Sequence, residues 1–203
     1  MKQKTRRTKE GTGFFKKSYQ ESFTYVRDSR KFIYSVIIIF LFFSLMGFFI
    51  PAPPLLEEKI LEFIEELLRK TEGMSQAELI KFIFLNNIQS SFTGMLFGII
   101  LGIFPLLSTL TNGYVLGFVA SKTTEVGGIF VLWRLLPHGI FELPALFISL
   151  GLGVKFGTFI FRKNKFQALG SYMIKSIKVF FFIVIPLLII AAIIEASLIS
   201  LLN

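Results

Sequence analysis

Residues 32–50 read FIYSVIIIFLFFSLMGFFI, nineteen consecutive positions without a formal charge. A helix rises about 1.5 Å per residue, so roughly 20 such residues cross the ~30 Å hydrocarbon layer of a bilayer. The 31 residues before this run hold ten Lys/Arg against Glu10, Glu21 and Asp28, and Pro51-Ala52-Pro53-Pro54 follows it. A secretory signal has a short basic start and a small-residue cleavage site; the long basic start and the prolines predict a retained first span instead. The rest of the chain agrees. Of its 203 residues 53% are hydrophobic and only 17% charged, with mean hydropathy +0.69. A soluble domain carries roughly 25% charged residues, so a water-soluble domain is excluded.

Working outward from this run with the same length predicts spans at 32–50, 85–107, 108–121, 129–154 and 174–201. The expected fold is all-α, a polytopic transmembrane helix bundle of about five spans. Residues 1–31 form a basic cytoplasmic arm and 32–203 a single membrane domain. The third span is short and abuts the second without a polar loop, which leaves a tilted helix, a re-entrant segment or a half-span open. Positive flanks set orientation. Residues 155–178 hold six Lys/Arg and no acid, whereas 51–81 hold seven acids against four bases. Five spans then place the N-terminus, a turn at 105–112 and the 155–173 loop in the cytoplasm. Segments 51–84 and 122–128 and the C-terminus lie outside a cell membrane. Residues 1–20 suit a flexible arm or an interfacial helix along the inner leaflet.

The outer segment carries Ile60, Leu61, Phe63, Ile64, Leu67 and Leu68 on one stripe and Glu on the other. Gly73 can end that helix, and Ser75-Gln-Ala-Glu78 reads as a capping box for the next. An amphipathic helical hairpin on the outer side is expected, packed on the bundle, lying in the interface or docking a partner. The bilayer is the expected partner of the basic clusters, which flank membrane segments and lack the aromatic platform of nucleic-acid binders. The net charge of +9 therefore does not imply nucleic acid. Cysteine is absent, which excludes disulfides and Cys metal sites.

Asn87, Ser91, Gly94, Gly98 and Gly102 recur at spacings of four, three, four and four, so they share a helix face. Small residues at that spacing admit a second helix, and Gly113-xxx-Gly117 and Gly153-xxx-Gly157 repeat the device. The glycines pack helices within the chain or form a homodimer seam. Asn86, Asn87 and Gln89, near the outer end of the second span, need hydrogen-bond partners when desolvated. They cap neighbouring helix ends or face protein or a wet cavity.

Residues 133–145, WRLLPHGIFELPA, carry the chemistry. Arg134, His138 and Glu142 are four apart and would line one face of a continuous helix, although Pro137 and Gly139 can interrupt it. A charge at membrane depth costs from ~2.5 kcal/mol upward unless paired or hydrated, so a shared polar network is expected. Its role is open between a lock for the bundle, a transport or gating path, and catalysis. One His and no Cys supply too few ligands for the usual catalytic metal site. H-E-x-x-H, G-x-S-x-G, P-loop and dinucleotide patterns do not occur. No enzyme, metal or cofactor is therefore expected. Glu195 sits at the interface or joins the network.

Asn86-Asn87 before a glycine-rich span, Pro105 and Asn112-Gly113 at the following turn, and PHGIFELPA at 137–145 with Gly151 and Gly153 beyond it together resemble the stage II sporulation protein M family of integral membrane proteins. Arg134, His138, Gly139, Glu142 and Pro144 are the residues to which the resemblance points. In endospore formers it implies a membrane component of an engulfment complex that localises peptidoglycan-degrading partners; the family also occurs outside spore formers. The expected function is a non-enzymatic scaffold or anchor for membrane or envelope proteins, as a homodimer or complex subunit. The alternative is a small transporter or channel with a polar path at Arg134, His138 and Glu142.

Overall fold

The charge-free run forms α2 (Arg30–Phe49) in the computed structural model, which describes the backbone of residues 2–202 and the side chains of 15–133 and 139–201. Around it stand α1 (Lys2–Asp28), α3 (Pro54–Thr71), α4 (Gln76–Leu96), α5 (Ile103–Gly127), α6 (Leu136–Gly157), α7 (Lys165–Val179) and α8 (Ile185–Leu202). No strand occurs among the described residues. A π-helical turn, Phe180–Val184, joins α7 to α8 without a break. Among the described residues four helices are long and apolar enough to cross a membrane: Arg30–Phe49, Ile103–Gly127, Gly139–Phe161 and Lys165–Leu201.

The faces of α2 show which solvent the pattern serves. Val36 and Phe40 are buried, whereas Ile38, Leu41, Phe42, Leu45 and Phe49 are 54–71% exposed. Leaving one such side chain in water forgoes roughly 1.5–3 kcal/mol of burial; hydrocarbon removes that penalty. α6 is the central helix, with 56% of its apolar stretch buried against 22–33% for the other three candidates. It packs on α2, α4, α5 and α8. Leu150 meets Val36 on one side, and Leu152 joins Val184 and Leu188 on the other.

Glycines set the distances between these helices. A Cβ on Gly113 would strike the Phe40 backbone and one on Gly117 the Ser44 carbonyl, so α2 and α5 are in backbone contact. A Cβ on Gly94 would strike the Leu150 side chain, and one on Gly98 the Gly153 backbone, which ties α4 and the turn after it to α6. These glycines make helix contacts within the chain.

Four expected segments have other boundaries in the structure. The turn expected at 105–112 lies at 97–102 instead: a 3-10 turn, Phe97–Ile99, then Leu101 at φ 54° and Gly102 at φ 70°. Pro105 sits in the first turn of α5, where a missing N–H is harmless, and Asn112-Gly113 lies well inside that helix. The reason is that this turn is apolar and is closed by packing, with Gly102 against Val154 and Gly157 against Leu101 and Gly102. The expected half-span 108–121 is consequently part of a 25-residue helix, Ile103–Gly127. The expected span 129–154 divides into a 3-10 segment, Ile129–Leu135, and α6. The last helix begins at Lys165 rather than 174, because nothing in 165–173 breaks a helix. The N-terminal arm is helical from Lys2, and α1 packs on α7.

The helix end at Gly73 and the helix start at Ser75 lie where the sequence places them. Gly73 takes φ 74° just beyond α3. The Ser75 backbone N–H donates to Glu78 Oε2 at 2.8 Å, and the Glu78 N–H donates to Ser75 Oγ, completing the capping box.

Candidate functional site

The glycine contacts between α4 and α6 bring two polar residues of these helices together. Asn87 Nδ2 donates to Glu142 Oε2 at 2.6 Å across 55 residues of sequence. A carboxylate acceptor makes this bond stronger than one between neutral groups. Beside it lies a cavity of about 410 Å³. Asn86, Asn87, Ser90 and Ser91 of α4 line it together with Asn112 of α5, Glu142 of α6 and Glu195 of α8. Phe63, Leu67 and Leu68 of α3 form an apolar wall opposite these groups. A salt bridge of 2.8 Å from Lys122 to Glu57 ties the start of α3 to α5.

Of the residues singled out from sequence, Asn86, Asn87, Asn112 and Glu142 meet around this one cavity. Glu195 lines the same cavity. Gly94, Gly98, Gly102, Gly113 and Gly117 stay outside the cavity lining and act in helix contacts. The side chains of Arg134, Pro137 and His138 lie outside the described residues. Their backbone does not form the continuous helix considered from spacing, since Arg134 belongs to the 3-10 segment and α6 begins at Leu136. Pro137 stands in the first turn of α6, where its missing N–H has no acceptor to lose. No interruption follows at Gly139; the proline inside the helix is Pro144.

A second polar cluster was not legible as such. Lys155, counted from sequence among the orienting charges, is only 8% exposed and donates to Ser29 Oγ at 2.8 Å. Its ammonium lies 3.8 Å from the centroid of the Tyr25 ring. Burial pushes the Tyr25 hydroxyl up to about 12. The available signal was the series Ser18, Ser22, Tyr25 and Ser29, whose spacings of four, three and four mark one helix face.

The family model for Stage II sporulation protein M matches residues 36–198, which takes in every cavity residue named above. An uncharacterized protein of Methanocaldococcus jannaschii is 30% identical over 125 residues, 62% of this chain and 55% of that protein. The chain thus spans about half the length of that relative. No solved structure matches it.

Proposed function

This chain belongs to the Stage II sporulation protein M family, and from that premise we propose that it is a multi-pass membrane protein that admits a small polar solute to the Asn87–Glu142 cavity, as a small transporter or channel and not as an enzyme. The observation that carries the reading is the convergence of Asn86, Asn87, Asn112, Glu142 and Glu195 from four helices on one cavity. Ionisable groups at membrane depth are costly and characteristically mark solute or ion paths. Cavities with a few convergent polar groups are the usual form of a small-molecule site.

In this reading α4 is a fifth crossing: its 21 residues extend about 32 Å. The basic N-terminus lies in the cytoplasm, α3 and the first turns of α4 form an outer hairpin, and the C-terminus is outside. Asn87, Glu142 and Glu195 then fall in the outer half of the bundle beneath α3. The test is reconstitution into vesicles and stopped-flow measurement of entry of small polar solutes, namely glycerol, urea and alkylammonium ions. Glu142→Gln and Asn87→Leu should each slow entry at least tenfold in folded protein. Wild-type vesicles no faster than protein-free ones would overturn the reading.

A second reading, a scaffold for envelope proteins, is favoured by α3. Only Ile60 of that helix is buried, while Leu55, Leu61, Phe63 and Leu68 are 41–71% exposed. A homodimer belongs to this reading and would use an outer surface such as α3, the glycine faces being occupied. Photocrosslinkers at Leu61 and Leu68 should capture one defined membrane or envelope protein, or a second copy, in cells. Labelling of lipid alone would count against it.

A further inference from the structure

α1 runs antiparallel along α7. The Tyr25 ring centroid lies 5.7 Å from the Lys175 ammonium, Glu21 accepts from Lys178 at 2.8 Å, and Tyr19 meets Phe182 edge-on with ring centroids 5.2 Å apart. The two helices leave a groove of about 550 Å³ between them, the size of a small-ligand site. Apart from Ile174 and the Tyr25 ring, its lining is polar or charged, and it includes Lys17, Lys175 and Lys178 with Glu21 and Asp28.

These charges are unevenly spread. Lys178 bonds Glu21, and its ammonium, with smaller contributions from Lys17 and Lys175, holds that carboxyl below its usual value of 4.5. One carboxylate thus faces three ammonium groups at this end of the groove, while Asp28 stands seven residues away, about 10 Å along α1. Lys17 and Lys175 form no ion pair among the described residues. Ser22 lines the groove with them at 1% exposure, and its hydroxyl has no hydrogen-bond partner among the described residues. A buried polar group in a native structure normally has a partner, and an anion seated between the two lysines would supply one. We propose that the groove between α1 and α7 binds a phosphate group, with Lys17 and Lys175 neutralising its charge and the Ser22 hydroxyl donating to one of its oxygens. Lysine serves phosphate as a point charge, and an ionised acceptor strengthens the hydroxyl's bond. Lys178 borders the uncharged run 179–194, so the groove stands where basic pockets between helices meet lipid headgroups. A phospholipid headgroup and a soluble phosphate ester present the same chemistry there. The site does not depend on which solute the outer cavity takes.

The test uses the full-length protein, delipidated in dodecylmaltoside. Native mass spectrometry follows the binding of phosphatidylglycerol, and calorimetry the binding of glycerol phosphate and inorganic phosphate. One phosphate-bearing molecule should bind the wild type ahead of any others. Lys17→Gln with Lys175→Gln, and separately Ser22→Ala, should each weaken that first step by about tenfold, the loss expected for a hydrogen bond to a charged group. Lys163→Gln with Lys165→Gln removes two exposed cations at the start of α7 and should leave it unchanged, and circular dichroism checks that each variant keeps its fold. Binding of the lipid alone identifies a headgroup as the source, and binding of either soluble compound identifies a free phosphate. The proposal is overturned if the wild type binds none of the three, if either groove variant binds as the wild type does, or if the Lys163/Lys165 variant loses as much affinity as they do.

Discussion

Replacing Gly117 by alanine asks whether backbone contact between α2 and α5 holds the bundle together. The added Cβ would land on the Ser44 carbonyl, with the Ser44 carbonyl carbon at 2.7 Å and the Phe48 nitrogen at 3.0 Å. These are backbone atoms of α2 and have no rotamer to change, so the two helices must part. Alanine is otherwise the better helix former by about 1 kcal/mol. Forcing a methyl group into a filled contact costs about 1–3 kcal/mol, and the upper end applies because Gly113 and Gly47 make similar contacts along the same seam. The net expectation is a loss of about 1–2 kcal/mol, roughly a five- to thirtyfold fall in the folded-to-unfolded ratio. Gly170 of α7 is the control, since a Cβ there meets nothing within 4 Å; alanine should stabilise by about 0.5–1 kcal/mol. Both variants can be compared by reversible unfolding in mixed SDS and dodecylmaltoside micelles, followed by circular dichroism. One chemical change with two opposite signs is the expected result. Gly117→Ala as stable as wild type, with Gly170→Ala behaving as stated, would refute the reasoning.

A double-mutant cycle on Asn87→Ala and Glu142→Ala should return a coupling of about 1.5–3 kcal/mol for the 2.6 Å bond; a coupling under about 0.5 kcal/mol would mean the bond does not persist. Ser75→Ala should lower stability by about 1 kcal/mol and speed hydrogen exchange at the start of α4, and unchanged exchange at Glu78 and Leu79 would sink the capping account. Glu57→Gln removes the 2.8 Å tie from Lys122, so exchange should quicken across α3 while the unfolding midpoint stays put, as expected for an exposed pair. The Lys178 ammonium holds the Glu21 carboxyl below its usual value of 4.5. A depressed acid stabilises above its unfolded value and loses that contribution as pH falls through the folded one, so α1 should loosen from α7 only in acid below pH 4.5. Glu21→Gln should abolish that step, as read by exchange in α1 against pH.

The sequence was legible wherever polarity changes along it. The run 32–50 became α2, and the Ser75/Glu78 pair became the start of α4, because a cap and a charge-free run are local patterns. The turn at 97–102 was hidden for the opposite reason. Its residues, FGIILG, read as continuing hydrocarbon, and only contact with Gly153, Val154 and Gly157 of α6 stabilises the left-handed Leu101 and Gly102. The cavity was half legible. Asn86, Asn87 and Glu142 stood out because polar groups inside apolar helices are expensive, whereas Ser90 and the α3 wall are ordinary residues given meaning by position.

α6 combines the features that fix such a bundle. It is the most buried of the membrane-crossing candidates, yet it carries a bonded acid near one end and a bonded ammonium near the other. Glu142 and Lys155 are thirteen residues apart, about 20 Å along the axis. Between them α6 is gripped by Leu150 on Gly94, Gly151 on Ile33 and Gly153 on Gly98. Dispersion contacts of that kind set how closely helices approach, but a slide by one helical turn, about 5.4 Å, would cost them little if small residues still faced small residues. The two polar bonds do not survive such a slide, because a hydrogen bond is lost beyond roughly 3.5 Å. Glycines thus set the spacing of the bundle, and Asn87–Glu142 with Ser29–Lys155 set its register, the best-attested use of buried polar pairs. The cavity inherits its shape from that register: any slip of α6 that breaks the Asn87 bond also carries Glu142 away from Glu195 and Asn112.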